Sequence, residues 1–235
     1  GAGCVASVET SYIGISAFGL AQNFRRASEG GILKVIEHSE TTGIDMFRAT
    51  AMGMSFFPTK TPLGSDLMQA NEHLAEVICP FKGERYAAVK AARPDVAILH
   101  AHTADQYGNV QLDLQRWHDN SVDAILAKAA RTVLVTVEQI VSDEEVLRNA
   151  LLTVLPRKFV TAVIEAPYGA HPTACDSRYD YDLDEVGRYY EASKSGDAFK
   201  GYLEERVLGP ADHWAYLDAI GLERLMALTR QRVVR

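Results

Sequence analysis

Cysteine is scarce in this sequence, and long apolar runs are absent. Only three cysteines stand among the 235 residues, and Cys4, Cys79 and Cys175 form no CxxC pair. The sequence therefore indicates neither a disulfide framework nor a zinc site, and this cysteine usage predicts a protein of the reducing cytoplasm. No stretch approaches the roughly 18–20 apolar residues of a membrane helix, so we expect no membrane partner.

Basic clusters are also missing. Lys and Arg total 24 against 31 Asp and Glu, which gives a formal net charge of −7. A broad surface for nucleic acid or for an anionic membrane is therefore not expected. A small anionic ligand remains compatible with this balance, because one Arg or one helix N-terminus can hold it locally.

What the sequence does contain is an alternation of short apolar strands and amphipathic helices. Strand patterns cover Ile32–Glu37, Asp95–His100, Thr132–Val137 and Phe159–Ala166, and helical patterns cover Thr41–Met54, Val122–Ala130, Asp143–Asn149 and most of the chain from Asp180. Strands that are continuously apolar and separated by helices are typical of a covered parallel sheet. The prediction is an α/β fold, with a three-layer, mainly parallel sheet and helices on both faces.

The connecting segments and the length complete this outline. Val77–Ala91 reads as a hairpin, Phe56–Asp66 as an ordered loop, and Gly108-Asn109 as a turn before a short strand. We expect residues 1–235 to form a single domain. The chain opens on Gly1 rather than Met, and we expect part of the native polypeptide to lie upstream.

Ligands of such sheets collect beyond the carboxyl ends of the strands. The first polar segment there runs from Glu37 to Gly43. Glu40 is positioned to act as a base or nucleophile at a helix N-terminus. The alternative is structural: Ser39 or Thr41 caps the helix, and Glu40 complements its dipole.

Two further segments follow the next strands. His100 and His102 offer a possible metal pair with Asp105, although hydrogen-bonded loop histidines explain the pattern more simply. In that second interpretation Asp105 and Asn109 build the turn. Glu138 follows a buried strand directly, where it is suited to orient a substrate or a neighbouring subunit, or to make a cap or salt bridge.

The fourth segment is a loop held by two prolines, Glu165-Ala-Pro-Tyr-Gly-Ala-His-Pro172. It presents Tyr168 and His171, whose imidazole suits either a thioester or phosphate oxygen or a contact that fixes the loop. Neither a Ser/His/Asp order nor a Walker loop nor a GxGxxG motif is present.

The ordered set of these segments resembles one family. The segments that carry the resemblance are Val35–Glu40, Phe56–Lys60, Leu63–Asp66, Arg93–His100, Asp105, Gly108-Asn109, Val135–Glu138 and Glu165–Pro172. In this order they resemble the A (alpha) subunit of family I coenzyme A transferases, of the glutaconate CoA-transferase A type. The resemblance implies the fold type shared with ribose-phosphate isomerase. It also implies a B (beta) subunit as partner in a hetero-oligomer, with the active site between the two subunits.

The resemblance further implies a reaction and a set of site residues. CoA moves between an acyl-CoA and a small dicarboxylic or oxo acid, through a glutamate that usually belongs to the B subunit. Neither a cofactor nor a metal is expected, since the CoA thioester is itself a substrate. A related subgroup hydrolyses ring-containing CoA thioesters, and Glu40 is the matching catalytic position. Substrate contacts are expected from His38, Ser39, Asp66, Glu138, Tyr168 and His171. Besides transfer, a hydrolase or ring-opening enzyme using Glu40 and a non-catalytic substrate-binding subunit remain alternatives.

Overall fold

The computed structural model describes residues 1–113 and 119–233. The strands are β1 (Ser7–Thr10), β2 (Lys34–Glu37), β3 (Phe56–Thr59), β4 (Leu74–Ile78), β5 (Arg85–Lys90), β6 (Val96–Asp105), β7 (Val110–Gln111), β8 (Thr132–Val141), β9 (Thr153–Leu155) and β10 (Ala162–Glu165). The helices are α1 (Gln22–Glu29), α2 (Glu40–Ala51), α3 (Leu67–Ala70), α4 (Asp119–Ala129), α5 (Asp143–Arg148), α6 (Leu183–Ser193), α7 (Gly196–Leu203), α8 (His213–Ile220) and α9 (Leu222–Val233). Among the described residues, no helix combines the length and apolar character needed to span a bilayer.

The largest sheet has five strands in the order β10-β8-β6-β7-β9. Strands β10, β8 and β6 run parallel, whereas β7 pairs antiparallel with β6 and β9 antiparallel with β7. The predicted α/β alternation is therefore confirmed, and the parallel strands β10, β8 and β6 form one side of a mixed sheet. These parallel strands matter for the site, because they run in the same direction and bring side chains of neighbouring strands together in register.

The main core lies on one face of this sheet. Val133, Val135 and Val137 alternate along β8 and are almost fully buried. They form one cluster with Leu99 of β6 and with residues of α4 and β9. The alternation follows from the two-residue period of a strand, which sends every second side chain to the same face.

The other strands named above form two smaller sheets. The predicted hairpin at 77–91 is confirmed by the antiparallel pairing of β4 and β5. The prediction of a loop over Phe56–Asp66 is wrong for its first part, because β3 pairs antiparallel with β5. The error came from Pro58, which is tolerated here because β3 is an edge strand of its sheet.

The first thirty residues, for which the sequence patterns predicted nothing, contribute β1 and α1. Strand β1 pairs in parallel with β2, so that Glu9 lies opposite Ile36. Helix α2 follows β2 at once, because Ser39 is its N-cap and accepts a hydrogen bond from the N–H of Thr42 at 3.1 Å. The structure thus realises the capping alternative for Ser39.

Candidate active site

The neighbouring parallel strands β6 and β8 bring a histidine and a glutamate together. His100 lies opposite Thr136 in the parallel register, and Glu138 follows two residues later on the same face. His100 Nδ1 lies 2.8 Å from Thr136 Oγ1, and His100 Nε2 lies 2.7 Å from Glu138 Oε1. Because a carboxylate only accepts, Nε2 carries the proton in this pair. The ring is held at both nitrogens.

Glu138 is the centre of this network. Oε1 also accepts a hydrogen bond from the Tyr179 hydroxyl at 2.9 Å, and Oε2 accepts one from the N–H of Tyr168 at 2.8 Å. Burial by itself raises the pKa of Glu138, but the hydrogen bonds from His100, Tyr168 and Tyr179 outweigh it and hold the pKa below its usual range. Glu138 is therefore a fixed anion rather than a proton carrier at neutral pH.

The loop after β10 is built around the same carboxylate. Tyr168 has a positive φ of 56°, a conformation that L-residues other than glycine rarely adopt. Its ring lies 4.8 Å from that of Tyr179, and its hydroxyl lies 2.9 Å from Thr229 Oγ1. Gly169 follows where an added Cβ would lie 2.7 Å from His100 Cε1. The loop therefore packs its backbone directly against the histidine, which a larger residue would prevent.

His171 belongs to a second, neighbouring network. Its Nε2 lies 3.1 Å from Asp182 Oδ2, and its Nδ1 lies 2.6 Å from the Tyr216 hydroxyl. Asp182 is buried, which opposes its ionisation, but Arg224, the N–H of Glu185 and His171 together hold its pKa well below the usual range. Burial raises the pKa of the Tyr216 hydroxyl to about 12. The imidazole thus joins the loop to the C-terminal helices.

A largely apolar cavity of about 740 Å³ lies beside His171. Its aromatic lining comes from Phe18, Tyr181, Tyr189, Tyr202 and Tyr216. Volume and lining are those of a small-molecule site, which is typically apolar with a few polar groups. Gly14, Ile15, Ala17 and Phe18 of the N-terminal segment meet residues of helices α6 and α8 here.

The segment 37–43 lies apart from Glu138, and no described contact joins the two. His38 is buried, with Nδ1 3.2 Å from Thr42 Oγ1 and Nε2 3.3 Å from Glu9 Oε2. Glu40 occupies the first turn of α2 and is exposed. Asp66 precedes α3 and is exposed, and its side chain makes no capping hydrogen bond. Glu40 and Glu37 are thus both exposed acids of this segment, and of the two Glu40 lies at the start of a helix.

The predicted metal alternative around His102 does not converge in the structure. His102 Nδ1 accepts from the N–H of Asp113 at 3.2 Å, and its Nε2 lies 2.6 Å from the carbonyl of Asp176. Asp105 accepts hydrogen bonds from the N–H groups of Tyr107 and Asn109 and builds the turn. Both side chains are therefore engaged in holding loops.

Sequence reasoning found some site members and missed others. Of the predicted residues, the structure joins Glu138 to Tyr168 through a backbone hydrogen bond and leaves Ser39, Glu40 and Asp66 elsewhere. The sequence reasoning did not identify Thr136 or Tyr179 as members of this network. Thr136 carried a usable signal, since it precedes Glu138 by one strand period, whereas Tyr179 lies in an irregular segment without a pattern.

Comparison with known proteins identifies the family. The family model described as coenzyme A transferase matches residues 1–166. The A subunit of glutaconate CoA-transferase from Acidaminococcus fermentans is 33% identical over 89% of this chain and 69% of its own length. The A subunit of 3-oxoadipate CoA-transferase from Pseudomonas knackmussii is 34% identical over 90% of this chain and 74% of its own.

The fold comparison agrees with these sequence matches. The crystal structure of glutaconate coenzyme A-transferase from Acidaminococcus fermentans superimposes with a TM-score of 0.89 at 32% identity, covering 95% of this chain and 75% of that chain. An uncharacterized protein of Archaeoglobus fulgidus is 34% identical over 98% of this chain, which spans about half of that relative's length (52%). With its ordered motifs, its fold and these matches, the chain belongs to the coenzyme A transferase family.

Proposed function

We propose that this chain is the A subunit of a CoA-transferase that moves CoA between an acyl-CoA and a small dicarboxylic or oxo acid. The observation that carries the proposal is the identity of about one third with the A subunits of glutaconate and 3-oxoadipate CoA-transferases, over about nine tenths of this chain. Both of those relatives act, by their names, with carboxylic acids of this class.

The proposed partner is a B subunit that provides the covalent glutamate and completes the active site. Its carboxylate attacks the thioester carbonyl and expels CoA thiolate, leaving a mixed anhydride. The thiolate then attacks the glutamyl carbonyl, which releases the first acid and forms a glutamyl-CoA thioester. The acceptor carboxylate repeats these two steps in reverse and leaves as the new acyl-CoA. Atoms and electrons balance without a cofactor.

Within this scheme the chain supplies walls and oriented donors. Glu138 is ionised and fully engaged, so it is proposed to position His100 and the loop at Tyr168 rather than to attack substrate. The cavity beside His171 offers apolar surface for an acyl or pantetheine group. The substrate-contact roles of His38, Ser39 and Asp66 stay predictions.

The test uses the chain co-expressed with its B subunit. Succinyl-CoA or acetyl-CoA is offered with glutaconate or 3-oxoadipate, and the CoA esters are separated by liquid chromatography. Intact mass before borohydride treatment reports a CoA-sized adduct on the partner, and borohydride, which reduces a glutamyl thioester to an alcohol and releases CoA, removes that adduct. We expect a new CoA ester and a partner-borne adduct. Free CoA without any new ester, for every pair of acids, contradicts the proposal.

A second candidate is a CoA-thioester hydrolase or ring-opening enzyme that uses Glu40. The observation favouring it is the exposed Glu40 carboxylate at the start of α2, where backbone N–H groups favour a negatively charged substrate group. This alternative predicts that Glu40→Gln abolishes release of free CoA. The matched control is Glu37→Gln, an exposed glutamate of β2. If the chain instead acts in CoA transfer, Glu40→Gln leaves the CoA adduct on the partner subunit intact.

A third alternative is a subunit without chemistry of its own that completes the partner's pocket. It predicts that substitutions of Glu40 and Tyr168 raise KM and leave kcat nearly unchanged. Steady-state kinetics on the same co-expressed complex separate this outcome from the other two.

A further inference from the structure

We propose that Glu9, His38 and His73 form a binding site for a divalent transition-metal ion, Zn²⁺ above all. Their ligand atoms all lie within 4.8 Å of one another. Glu9 Oε2 lies 3.3 Å from His38 Nε2 and 3.1 Å from His73 Nδ1. Tetrahedral Zn²⁺ with bonds of about 2.0–2.1 Å separates its ligands by about 3.3 Å, so both spacings suit one ion. No sequence motif predicts this site, because three separate segments supply the ligands.

The structure explains how these segments converge. Glu9 lies on β1, His38 directly after β2, and His73 directly before β4. Parallel pairing of β1 with β2 brings the first two together. Asn71 adds the third, since its Nδ2 donates to the Glu37 carbonyl at 2.7 Å and its Oδ1 accepts from the N–H of His73 at 2.7 Å. These two backbone contacts also fix which end of the Asn71 amide is the donor.

The contacts of His38 are compatible with the tautomer that metal binding needs. The Thr42 hydroxyl donates to the Ser39 carbonyl at 3.2 Å and accepts from Ser39 Oγ at 3.1 Å, which leaves its oxygen one lone pair for Nδ1–H of His38 at 3.2 Å. In this tautomer the Nε2 lone pair accepts a hydrogen bond from Asn71 Nδ2 at 3.3 Å when no ion is bound, beside the Glu9 carboxylate at 3.3 Å. An ion at Nε2 replaces that hydrogen bond. Metal-binding histidines are commonly held through the second nitrogen in this way.

An entry route leads to the ligands from one side. His38 is fully enclosed, whereas the Glu9 and His73 side chains are 31% and 23% exposed. Both of these line a cavity of about 510 Å³, together with Lys90 and Arg93. Three protein ligands leave one tetrahedral position, and the cavity gives water or an anionic group access to it. The ligand set therefore has the features expected of a metal site that exchanges its fourth ligand.

The competing interpretation is a hydrogen-bond cluster without an ion, in which both imidazoles donate to Glu9 and tie β1 to its neighbours. Another group of ligand atoms, His100 Nε2 or Nδ1, a Glu138 oxygen and Cys175 Sγ, is also close enough to hold an ion. A measurement must therefore separate three outcomes. Sulfur makes this possible, because Co²⁺ bound to a thiolate shows a charge-transfer band that nitrogen and oxygen ligands lack.

The experiment titrates the 235-residue chain, stripped with chelator, with Co²⁺ and then with Zn²⁺. Visible absorption follows tetrahedral Co²⁺, and elemental analysis after gel filtration gives the Zn²⁺ stoichiometry. The test variants are Glu9→Gln and His73→Gln, both at partly exposed side chains, so that folding is retained and checked by circular dichroism. Glu76→Gln is the matched control, since Glu76 lies on β4 close to His73 and pairs with the exposed Arg85.

We expect one Zn²⁺ per chain and a tetrahedral Co²⁺ spectrum without a sulfur charge-transfer band. Loss of an outer-shell group costs a metal site about 10–100-fold in affinity, so each ligand variant should lose at least about 100-fold, and Glu76→Gln none. Absence of stoichiometric binding overturns the proposal in favour of the hydrogen-bond cluster. Binding that persists in both ligand variants, or that shows the sulfur band, overturns it in favour of the group at Cys175.

Discussion

Replacing Glu138 by glutamine removes the charge on which the candidate site is organised. The carboxylate accepts three hydrogen bonds, from His100 and Tyr179 at Oε1 and from the N–H of Tyr168 at Oε2. Glutamine has one acceptor oxygen, so its NH₂ group must take the place of either Oε1 or Oε2 and there faces donors instead of accepting from them. If the oxygen keeps Tyr168, His100 can change tautomer and accept, but the Tyr179 hydroxyl loses its acceptor.

The structure sets the size of this effect. A hydrogen bond to a charged group contributes about 1.5–3 kcal/mol, whereas a neutral one contributes about 1 kcal/mol. Losing the Tyr179 bond and converting the other two to neutral bonds amounts to about 2.5–7 kcal/mol. The Glu138 side chain is 9% exposed, so solvent cannot replace the missing acceptor. We therefore expect Glu138→Gln to lower the free energy of unfolding by at least about 2.5 kcal/mol.

Urea unfolding followed by circular dichroism measures this loss. Glu76→Gln is the control, because its exposed ion pair with Arg85 contributes at most about 1 kcal/mol. A drop in the midpoint with unchanged slope identifies a stability effect on the native state. If Glu138→Gln costs no more than Glu76→Gln, the buried charged network described here does not exist in solution.

Glu138→Gln should also change how the free energy of unfolding depends on pH. Because the folded pKa of Glu138 is held below that of the unfolded chain, its contribution is present above about pH 4.3, the ordinary glutamate value, and is lost as pH falls through the folded pKa. Glu138→Gln should flatten the stability curve in this acid range. If the curves of stability against pH run parallel for the unsubstituted protein and Glu138→Gln, Glu138 is not the buried anion assigned here.

Three other expectations concern single residues of the fold. Ser39→Ala should cost about 1 kcal/mol in urea unfolding through loss of the helix cap, and Ser39→Asp should restore most of it. Burial lowers the pKa of His102, so acidification below about pH 6.5 should destabilise the protein, and His102→Gln should remove that slope. Gly169→Ala should destabilise through contact with His100, whereas Gly196→Ala, where a Cβ meets nothing within 4 Å, should not.

The parallel strands of the largest sheet could be predicted from the sequence because their signal is local. The run TVLVTV alternates in burial along β8, and β-branched residues with this pattern specify a strand by themselves. β3 could not be predicted in this way, because Pro58 is compatible with an edge strand and edge position is a property of the whole sheet.

Part of the site was predictable from the end of a strand pattern. The apolar run ends at Val137, so the sequence placed Glu138 just beyond a strand, where the general rule for open α/β sheets expects a site. In the structure β8 continues to Val141 and Glu138 lies within it. Tyr179 could not be found, since its hydroxyl reaches Glu138 from 41 residues away in an irregular segment. The cluster of Glu9, His38 and His73 escaped for the same reason: each residue lies in a separate segment, and only tertiary pairing brings them together.

The bond between Glu138 and Tyr179 crosses the boundary of the family match, which ends at residue 166. The C-terminal part thus contacts the part that the family model matches at a buried anion. Segments exchanged between relatives at that boundary would separate the acceptor from its donor, so functional chimeras should require both positions from the same parent. The two parts should also protect their amides from hydrogen exchange as one cooperative unit, despite the boundary in sequence.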